Sequence, residues 1–180
     1  MFVRTSGASK LSFEPVIAFG ENSAYPHHRA GSSRLQKDQI VLIDAGAVVD
    51  HYCGDLTRVF YFGTPNPELK RLERLVKETQ ETAIHRIQPG VKVHELDDLV
   101  REVFKKADVN QFYMHSLGHG VGLEVHEFPM IRSNQKNDGV LLKEGMVVTI
   151  EPGLYQPNLG GIRLEEMLLV TSNGSESLLE

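Results

Sequence analysis

The stretch HSLGHGVGLEVHE, residues 115–127, places three histidines and three glycines within thirteen positions. His115 and His119 have the spacing that would bring both to one face of a helix, but the glycines around them disfavour a helix. The stretch also lacks the glutamate of the zinc-protease helix motif and the third glycine of a dinucleotide-binding loop. We therefore predict an extended segment whose backbone can approach a ligand closely and whose His119 and His126 point into one cavity.

Composition narrows the class of protein. The chain has 180 residues, 41% of them hydrophobic, which is enough for one compact domain with a core. Its formal net charge is -5 and no basic run is longer than a pair such as Lys105–Lys106, which argues against a nucleic-acid partner. No segment has the apolar length of a signal peptide or a membrane span, and the single cysteine, Cys53, excludes an internal disulfide. The sequence therefore predicts a cytoplasmic protein that binds neither nucleic acid nor membrane.

Hydrophobic periodicity predicts an α+β fold with a mostly antiparallel sheet covered by a helix pair. Asn66 followed by Pro67 is typical of a helix start, and the apolar spacing after it ends at Pro89–Gly90. A second amphipathic helix is predicted over 94–107. The predicted strands, several of them paired as hairpins, lie in 10–20, 39–49, 56–63, 139–155 and 161–179.

Three carboxylates follow or interrupt segments that resemble buried strands. Asp44 follows VLI, Glu151 follows MVVTI, and Glu165 lies between GIRL and MLLV. Burying an ionised carboxylate without a partner costs several kcal/mol, so each should be protonated, paired with a base or bound to a metal ion. The alternative is a solvated sheet face on which these acids pair with Arg58, Arg163 or lysines.

A fourth acid, Asp55, falls in the second strand of the hairpin predicted over 39–63. With a turn near Val49–Asp50, Asp44 and Asp55 would stand nearly opposite each other, roughly 5 Å apart at Cβ. Such carboxylates repel unless a cation lies between them, and they can bridge two divalent ions about 3.5–4 Å apart. With His119, the four acids form an oxygen-rich ligand set that favours Mn²⁺, Fe²⁺, Co²⁺ or Zn²⁺ over a thiolate zinc site.

In order and spacing, five motifs resemble those of the pita-bread metallopeptidases (peptidase family M24), which include methionine aminopeptidase, aminopeptidase P, prolidase and creatinase. The motifs are LIDAG, GDLTR, HSLGHGVGLEVHE, TIEPGLY and GGIRLEE.

The resemblance implies the pita-bread fold, a curved and mostly antiparallel sheet covered by helices, with residues 1–180 as the catalytic domain. The family has helices ahead of the first strand, and prolidase and aminopeptidase P have a separate N-terminal domain. Neither is recognisable here, so we expect a domain that is incomplete at its N-terminus and leaves an apolar sheet face exposed to solvent.

The resemblance also implies five metal ligands. Asp44 matches the acid that binds one ion only, Asp55 and Glu165 match the two bridging acids, and His119 and Glu151 match the remaining ligands. The implied cofactors are two divalent ions per chain, Mn²⁺ first, with Co²⁺, Fe²⁺ or Zn²⁺ as alternatives.

Three residues are implied to act on the substrate directly. His27, in GENSAYPHHRAG, matches a histidine that faces the substrate. His126 matches the histidine that contacts the scissile peptide and steadies its tetrahedral intermediate. Glu151 resembles the proposed proton shuttle between the nucleophile and the leaving group.

Two further residues favour the proline-specific branch of the family. His115 is the leading histidine that methionine aminopeptidases lack, and Arg163 matches an arginine two residues before the last ligand. Arg163 would either contact the substrate or pair with Glu165 or Glu166. These matches imply hydrolysis of Xaa–Pro bonds, in peptides with proline at the second position, by a hydroxide that the two ions share. Methionine aminopeptidase and a non-catalytic peptide- or protein-binding module are the alternatives, and a homodimer is a further expectation.

Overall fold

The fold was analysed in a computed structural model that describes residues 7–133 and 139–179. Helix α1 is Pro67–Ile84 and helix α2 is Val93–Lys106. The predicted start of α1 is confirmed, since the side chain of Asn66 accepts a hydrogen bond of 2.8 Å from the backbone N–H of Glu68. The helix ends before the predicted stop, and the last apolar residue of the pattern, Ile87, is buried in the turn that follows. In the described part of the chain, no helix combines the length and the apolar character needed to cross a membrane.

The strands form four sheets, and every pairing found in the described ranges is antiparallel. The sheets have the orders β13-β12-β9-β7-β8, β2-β3-β6, β1-β4-β5 and β10-β11. The strands are β1 (Lys10–Leu11), β2 (Val16–Phe19), β3 (Gln39–Asp44), β4 (Ala47–Val49), β5 (Tyr52–Cys53), β6 (Thr57–Phe62), β7 (Gly118–Gly120), β8 (Glu127–Ile131), β9 (Val147–Ile150), β10 (Gly153–Gln156), β11 (Gly160–Arg163), β12 (Glu166–Thr171) and β13 (Gly174–Ser177).

The hairpin that carries the first two acids forms, but its predicted register is wrong. Its turn lies at Asp50–His51, where φ is 48° and 74°, as a two-residue hairpin turn of the primed type requires. Asp44 therefore pairs with Thr57 and not with Asp55. Because Asp55 lies two residues before Thr57, it is a diagonal neighbour of Asp44 on the same side of the hairpin.

Two other strand predictions also need correction. The segment before the predicted turn in 139–155 forms a single bridge, Leu141 with Lys92, instead of a strand. Its neighbour Leu142 is buried and bonds through its backbone to the loop between the two helices, so this segment is not available to β9. The last hairpin turns at Ser172–Asn173, one residue earlier than predicted, since Thr171 pairs with Gly174.

The main core lies between the helix pair and the five-stranded sheet. Leu72 and Val76 on α1 and Phe104 on α2 are fully buried in one cluster with Val148 and Ile150 of β9. Removing this much apolar surface from water is the principal stabilising term for a domain of this size. It also fixes α1 against the end of β9, where Glu151 follows.

The outward face of β2-β3-β6 is apolar. Phe60, Phe62 and Ile17 are 55%, 54% and 42% exposed, and Val41 and Ile43 lie on the same face between them. An exposed apolar sheet face is what the sequence predicted.

Candidate active site

One cleft of about 850 Å³ is lined by all nine residues that the sequence singled out. Part of its wall is apolar and is formed by Phe13, Pro15, Val16 and Met130. The nine residues are His27, Asp44, Asp55, His115, His119, His126, Glu151, Arg163 and Glu165.

Strand ends bring the acids into this cleft. Asp44 ends β3, Asp55 lies just before β6, and Glu151 directly follows β9. Glu165 lies between β11 and β12, and His119 is the central residue of β7. Functional side chains at strand ends and in a short inner strand are held by the ladder hydrogen bonds on either side of them.

The glycines of the histidine stretch serve strand packing. A Cβ atom on Gly118 would lie 2.0 Å from the carbonyl oxygen of Thr149, and one on Gly120 would lie 2.4 Å from that of Phe128. Both positions therefore require glycine, because β7 is pressed between β9 and β8. The backbone approaches the neighbouring strands closely, and this keeps His119 buried inside the sheet.

His119 presents one ring nitrogen to the carboxylates. Its Nδ1 lies 3.0 Å from the carbonyl oxygen of Gly120, so the neutral ring carries its proton there and leaves the Nε2 lone pair free. Nε2 lies 3.5 Å from Oε1 of Glu151 and 3.7 Å from Oδ2 of Asp55. Burial lowers the pKa of His119 to about 4, so the ring is neutral in ordinary buffers.

The buried acids resist ionisation. Burial, reinforced by the charge of Asp44, raises the pKa of Asp55 to about 7, against the opposing charge of Arg163. Burial also raises the pKa of Glu151 to about 8, with Arg163 opposing and the other acids contributing. The pKa of Glu165 is raised well above its usual value by burial first and then by the neighbouring carboxylates. Full ionisation of these acids would therefore place more negative charge here than Arg163 offsets.

The donor set fits divalent cations. Asp55, His119 and Glu165 each offer a ligand atom, and these atoms all lie within 4.8 Å of one another. The Oδ1 atom of Asp44 is buried and has no hydrogen-bond partner among the described residues. A buried carboxylate oxygen without a partner is costly, and a bound cation would satisfy it.

Arg163 is the cation that the protein itself places beside these acids. It is 4% exposed, and its guanidinium donates to Oδ2 of Asp44 over 2.6 Å and to the hydroxyl of Tyr155 over 2.7 Å. Its Nε donates to Oγ1 of Thr57 over 3.0 Å, and Thr57 in turn donates to Oε2 of Glu165 over 2.7 Å.

The expected pairing of Arg163 with Glu165 or Glu166 is wrong. Its guanidinium bonds directly to Asp44 and lies 3.9 Å from Oε2 of Glu151, and it reaches Glu165 through the hydroxyl of Thr57. Glu166 begins β12, faces away from the cleft and pairs with Arg58.

His115 is held inside the protein at both ring nitrogens. Nε2 lies 2.8 Å from the hydroxyl of Tyr155, and Nδ1 lies 2.7 Å from the carbonyl oxygen of Ser116. Burial lowers the pKa of His115 to about 4, so Nε2 accepts a hydrogen bond from Tyr155, which itself accepts one from Arg163. His115 therefore orients Tyr155 and, through it, Arg163.

The remaining two histidines are exposed at the cleft. The ring of His126 meets that of His119 edge-on, with centroids 4.3 Å apart. His27 follows the short 3₁₀ helix Gly20–Ala24 and also lines the cleft. Both leave polar ring atoms available to a bound molecule.

Sequence analysis missed Thr57 and Tyr155 as members of the site. Thr57 lies in the motif GDLTR and Tyr155 in the motif TIEPGLY. Their closeness in sequence to Asp55 and Glu151 is the signal from which they could have been predicted. The hydrogen bond between Thr57 and Arg163 joins residues more than one hundred positions apart, and local sequence patterns do not reveal such a contact.

Comparison with known proteins places the chain in a family. The model for metallopeptidase family M24 matches residues 1–172. The Xaa-Pro dipeptidase of Pyrococcus furiosus is 43% identical over 176 residues, which cover 98% of this chain and 50% of that protein. An uncharacterized peptidase of Staphylococcus epidermidis is 40% identical over 178 residues, 99% of this chain and 50% of that one. The chain thus spans about half the length of the curated relatives it matches.

Solved structures show the same fold. Prolidase from Pyrococcus furiosus superposes with a TM-score of 0.94 at 43% identity, covering 98% of this chain and 52% of that chain. The X-Pro aminopeptidase from Thermotoga maritima superposes with a TM-score of 0.93 at 38% identity, covering 97% and 49%. The predicted α+β pita-bread fold is confirmed. The chain belongs to metallopeptidase family M24.

Proposed function

We propose that residues 1–180 form the catalytic domain of a peptidase that hydrolyses Xaa–Pro bonds with the help of two divalent metal ions. The observation that carries the proposal is the gathering of Asp44, Asp55, His119, Glu151 and Glu165 around one cleft. Their combined charge and the partnerless oxygen of Asp44 call for cations beyond Arg163. The Xaa-Pro dipeptidase and prolidase named among the relatives support the reaction class.

Asp55, Glu165, His119 and Glu151 would hold one ion. Asp44, together with the bridging acids Asp55 and Glu165, would hold the second. Mn²⁺ is our first choice, because carboxylate and imidazole ligands suit it, and Co²⁺, Fe²⁺ and Zn²⁺ are the alternatives. Ions bound there would supply an activated water and polarise the scissile carbonyl.

The residues of the chain then have distinct tasks. Glu151, once ionised, would accept the proton of the attacking water and pass it to the leaving proline nitrogen. His126 would donate a hydrogen bond to the oxygen that becomes negative during attack. His27, exposed at the cleft, would orient the peptide, and His115 would act as a positioning residue through Tyr155.

Substrate choice and metal content test the proposal together. We expect bound transition metal and hydrolysis of Gly-Pro or Arg-Pro-Pro by the wild type, and loss of both on Asp55→Ala. Faster cleavage of Met-Ala-Ser than of either proline peptide would favour a methionine aminopeptidase instead. No bound transition metal, together with equal activity in the wild type and Asp55→Ala, would reject the enzyme and favour a peptide-binding module. The cytoplasmic location and the homodimer stay predictions.

A further inference from the structure

Gln80 is a buried polar residue of α1 that the proposed chemistry does not use. It is 6% exposed and lies on the side of the helix that packs against the sheets. Its Nε2 donates two hydrogen bonds, each 2.9 Å long, to the carbonyl oxygens of Ile150 and Leu164. These two residues directly precede Glu151 and Glu165.

The peptide groups on which Gln80 acts are also held at their other ends. The carbonyl of Ile150 and the N–H of Glu151 belong to one planar peptide group. That N–H donates to the carbonyl oxygen of Leu117 over 2.8 Å, just ahead of the strand that carries His119. The peptide group ahead of Glu151 is therefore fixed at both ends, by a helix on one side and by the histidine segment on the other.

The peptide group ahead of Glu165 has the same arrangement. Its carbonyl, on Leu164, accepts from Gln80, and its N–H donates to the carbonyl oxygen of Thr57 over 3.2 Å. One side chain thus bonds the peptide groups from which two acids of the site project.

We propose that Gln80 is a positioning residue that sets the spacing of Glu151 and Glu165 for the divalent ions. This inference rests on the proposed metal centre. The direction of a side chain depends on the orientation of the peptide planes on either side of its Cα. Gln80 bonds the plane ahead of Glu151 and the plane ahead of Glu165 through one nitrogen, so it constrains the two carboxylates relative to each other. Only a primary amide offers two hydrogens on one neutral nitrogen, which explains why glutamine occupies a buried helix position.

The charge around the two acids makes such a constraint useful. The two carboxylates line one cleft with Asp44 and Asp55, so in their ionised forms repulsion would drive them apart in the absence of a cation. A ligand pair that is already held at its working separation loses less conformational freedom when a cation binds. Gln80 touches neither carboxylate, so its effect must pass through the backbone.

The test compares three variants by calorimetric titration of the metal-free protein with Mn²⁺. Gln80→Met keeps the length of the side chain but has no N–H groups, and Gln80→Asn keeps the amide but retracts it by one methylene. Thr79→Val is the matched control, because Thr79 is equally buried on α1 but bonds only within the helix, to the carbonyl oxygen of Leu75. Thermal unfolding without metal is measured for each protein, so that Mn²⁺ binding is compared between folded proteins.

We expect Gln80→Met to weaken Mn²⁺ binding by about 10–100-fold, the usual cost of losing a residue that orients metal ligands, and Gln80→Asn to lie between it and the wild type. Thr79→Val should bind as the wild type does, even where it unfolds at a lower temperature. The visible spectrum of the Co²⁺-loaded protein should change in Gln80→Asn and not in Thr79→Val, since it reports ligand geometry. Should Gln80→Met fail to fold, Gln80→Asn carries the test.

Three results would overturn the proposal, and they separate it from the proposed function. Equal Mn²⁺ affinity and equal Co²⁺ spectra in wild type and Gln80 variants would reject the positioning role while leaving the metal centre intact. Equal weakening in Thr79→Val would assign the effect to helix stability. A wild type that binds no Mn²⁺ would reject the metal centre and the role of Gln80 with it, whereas binding without Xaa–Pro hydrolysis would reject the proposed reaction alone.

Discussion

Mn²⁺ binding by the metal-free protein should depend steeply on pH, because several of the proposed ligands, Asp55 and Glu151 among them, retain protons near neutral pH. Burial, reinforced by Asp44, raises the pKa of Asp55 to about 7. Burial likewise raises the pKa of Glu151 to about 8, although Arg163 opposes the shift. Both acids must ionise before they can bind a divalent ion, so protons are released on binding. His119 adds no such dependence above about pH 5, because burial lowers its pKa to about 4.

The size of the effect follows from the number of protons displaced. Well below its pKa, an acid gains about tenfold in ionised fraction for each pH unit, which corresponds to about 1.4 kcal/mol. Between about pH 5.5 and 6.5, the affinity for Mn²⁺ should therefore rise nearly tenfold if one acid is displaced from its proton, and nearly 100-fold if both are.

Titration calorimetry in two buffers with different ionisation enthalpies measures both the affinity and the number of protons released. Asp55→Asn removes one titrating ligand, so it should release one proton fewer and show a shallower pH dependence, whatever its absolute affinity. Constant affinity over this interval, with the same binding heat in both buffers, would refute the reasoning. It would mean that the acids are already ionised in the metal-free protein and that burial does not control them.

Three further predictions concern stability. Without metal, the free energy of unfolding should fall as pH rises from about 5 to about 8, because native Asp55 and Glu151 keep protons that the unfolded chain has released. A melting temperature that does not fall over this interval in calorimetry would contradict this. Leu72→Ala should lower the free energy of unfolding, measured in urea, by about 2–5 kcal/mol, since the side chain of Leu72 on α1 is fully buried. A smaller loss would indicate that the core collapses around the substituted residue. Asn66→Ala should cost about 1 kcal/mol in the same assay by leaving the N–H of Glu68 without its cap, and Asn66→Ser should recover most of it.

Features determined by local chemistry could be predicted from the sequence. The start of α1 needs only a capping side chain at Asn66 and the fixed φ of Pro67, and both act within one turn. The acids could be recognised as site candidates because a carboxylate at the end of an apolar strand is costly wherever the strand finally lies. Asp44 and Glu151 were found in this way, and both line the cleft.

Features that depend on a shift of one or two residues in strand pairing could not be predicted from the sequence. The hairpin turns at Asp50–His51, where two residues adopt positive φ, and displacing this turn by one residue shifts every cross-strand pair by two. The prediction that Arg163 pairs with Glu165 or Glu166 was wrong for a related reason. Glu165 and Glu166 are its nearest acids in sequence, but they follow a break between β11 and β12, whereas the strand packing brings Asp44 to its guanidinium.

Gln80 shows why the remaining determinants are out of reach of pattern analysis. In α1 it follows Thr79 within a helix rich in Lys, Arg and Glu, where a glutamine is expected to face water. Its burial becomes meaningful only when the carbonyls of Ile150 and Leu164, 70 and 84 positions away, come within hydrogen-bond distance of its amide. Ile150 ends β9, where it pairs with Glu166, and Leu164 lies in the break after β11, so each carbonyl lies one residue before an acid of the site. A side-chain donor at such a point both satisfies the carbonyl and fixes the acid that follows.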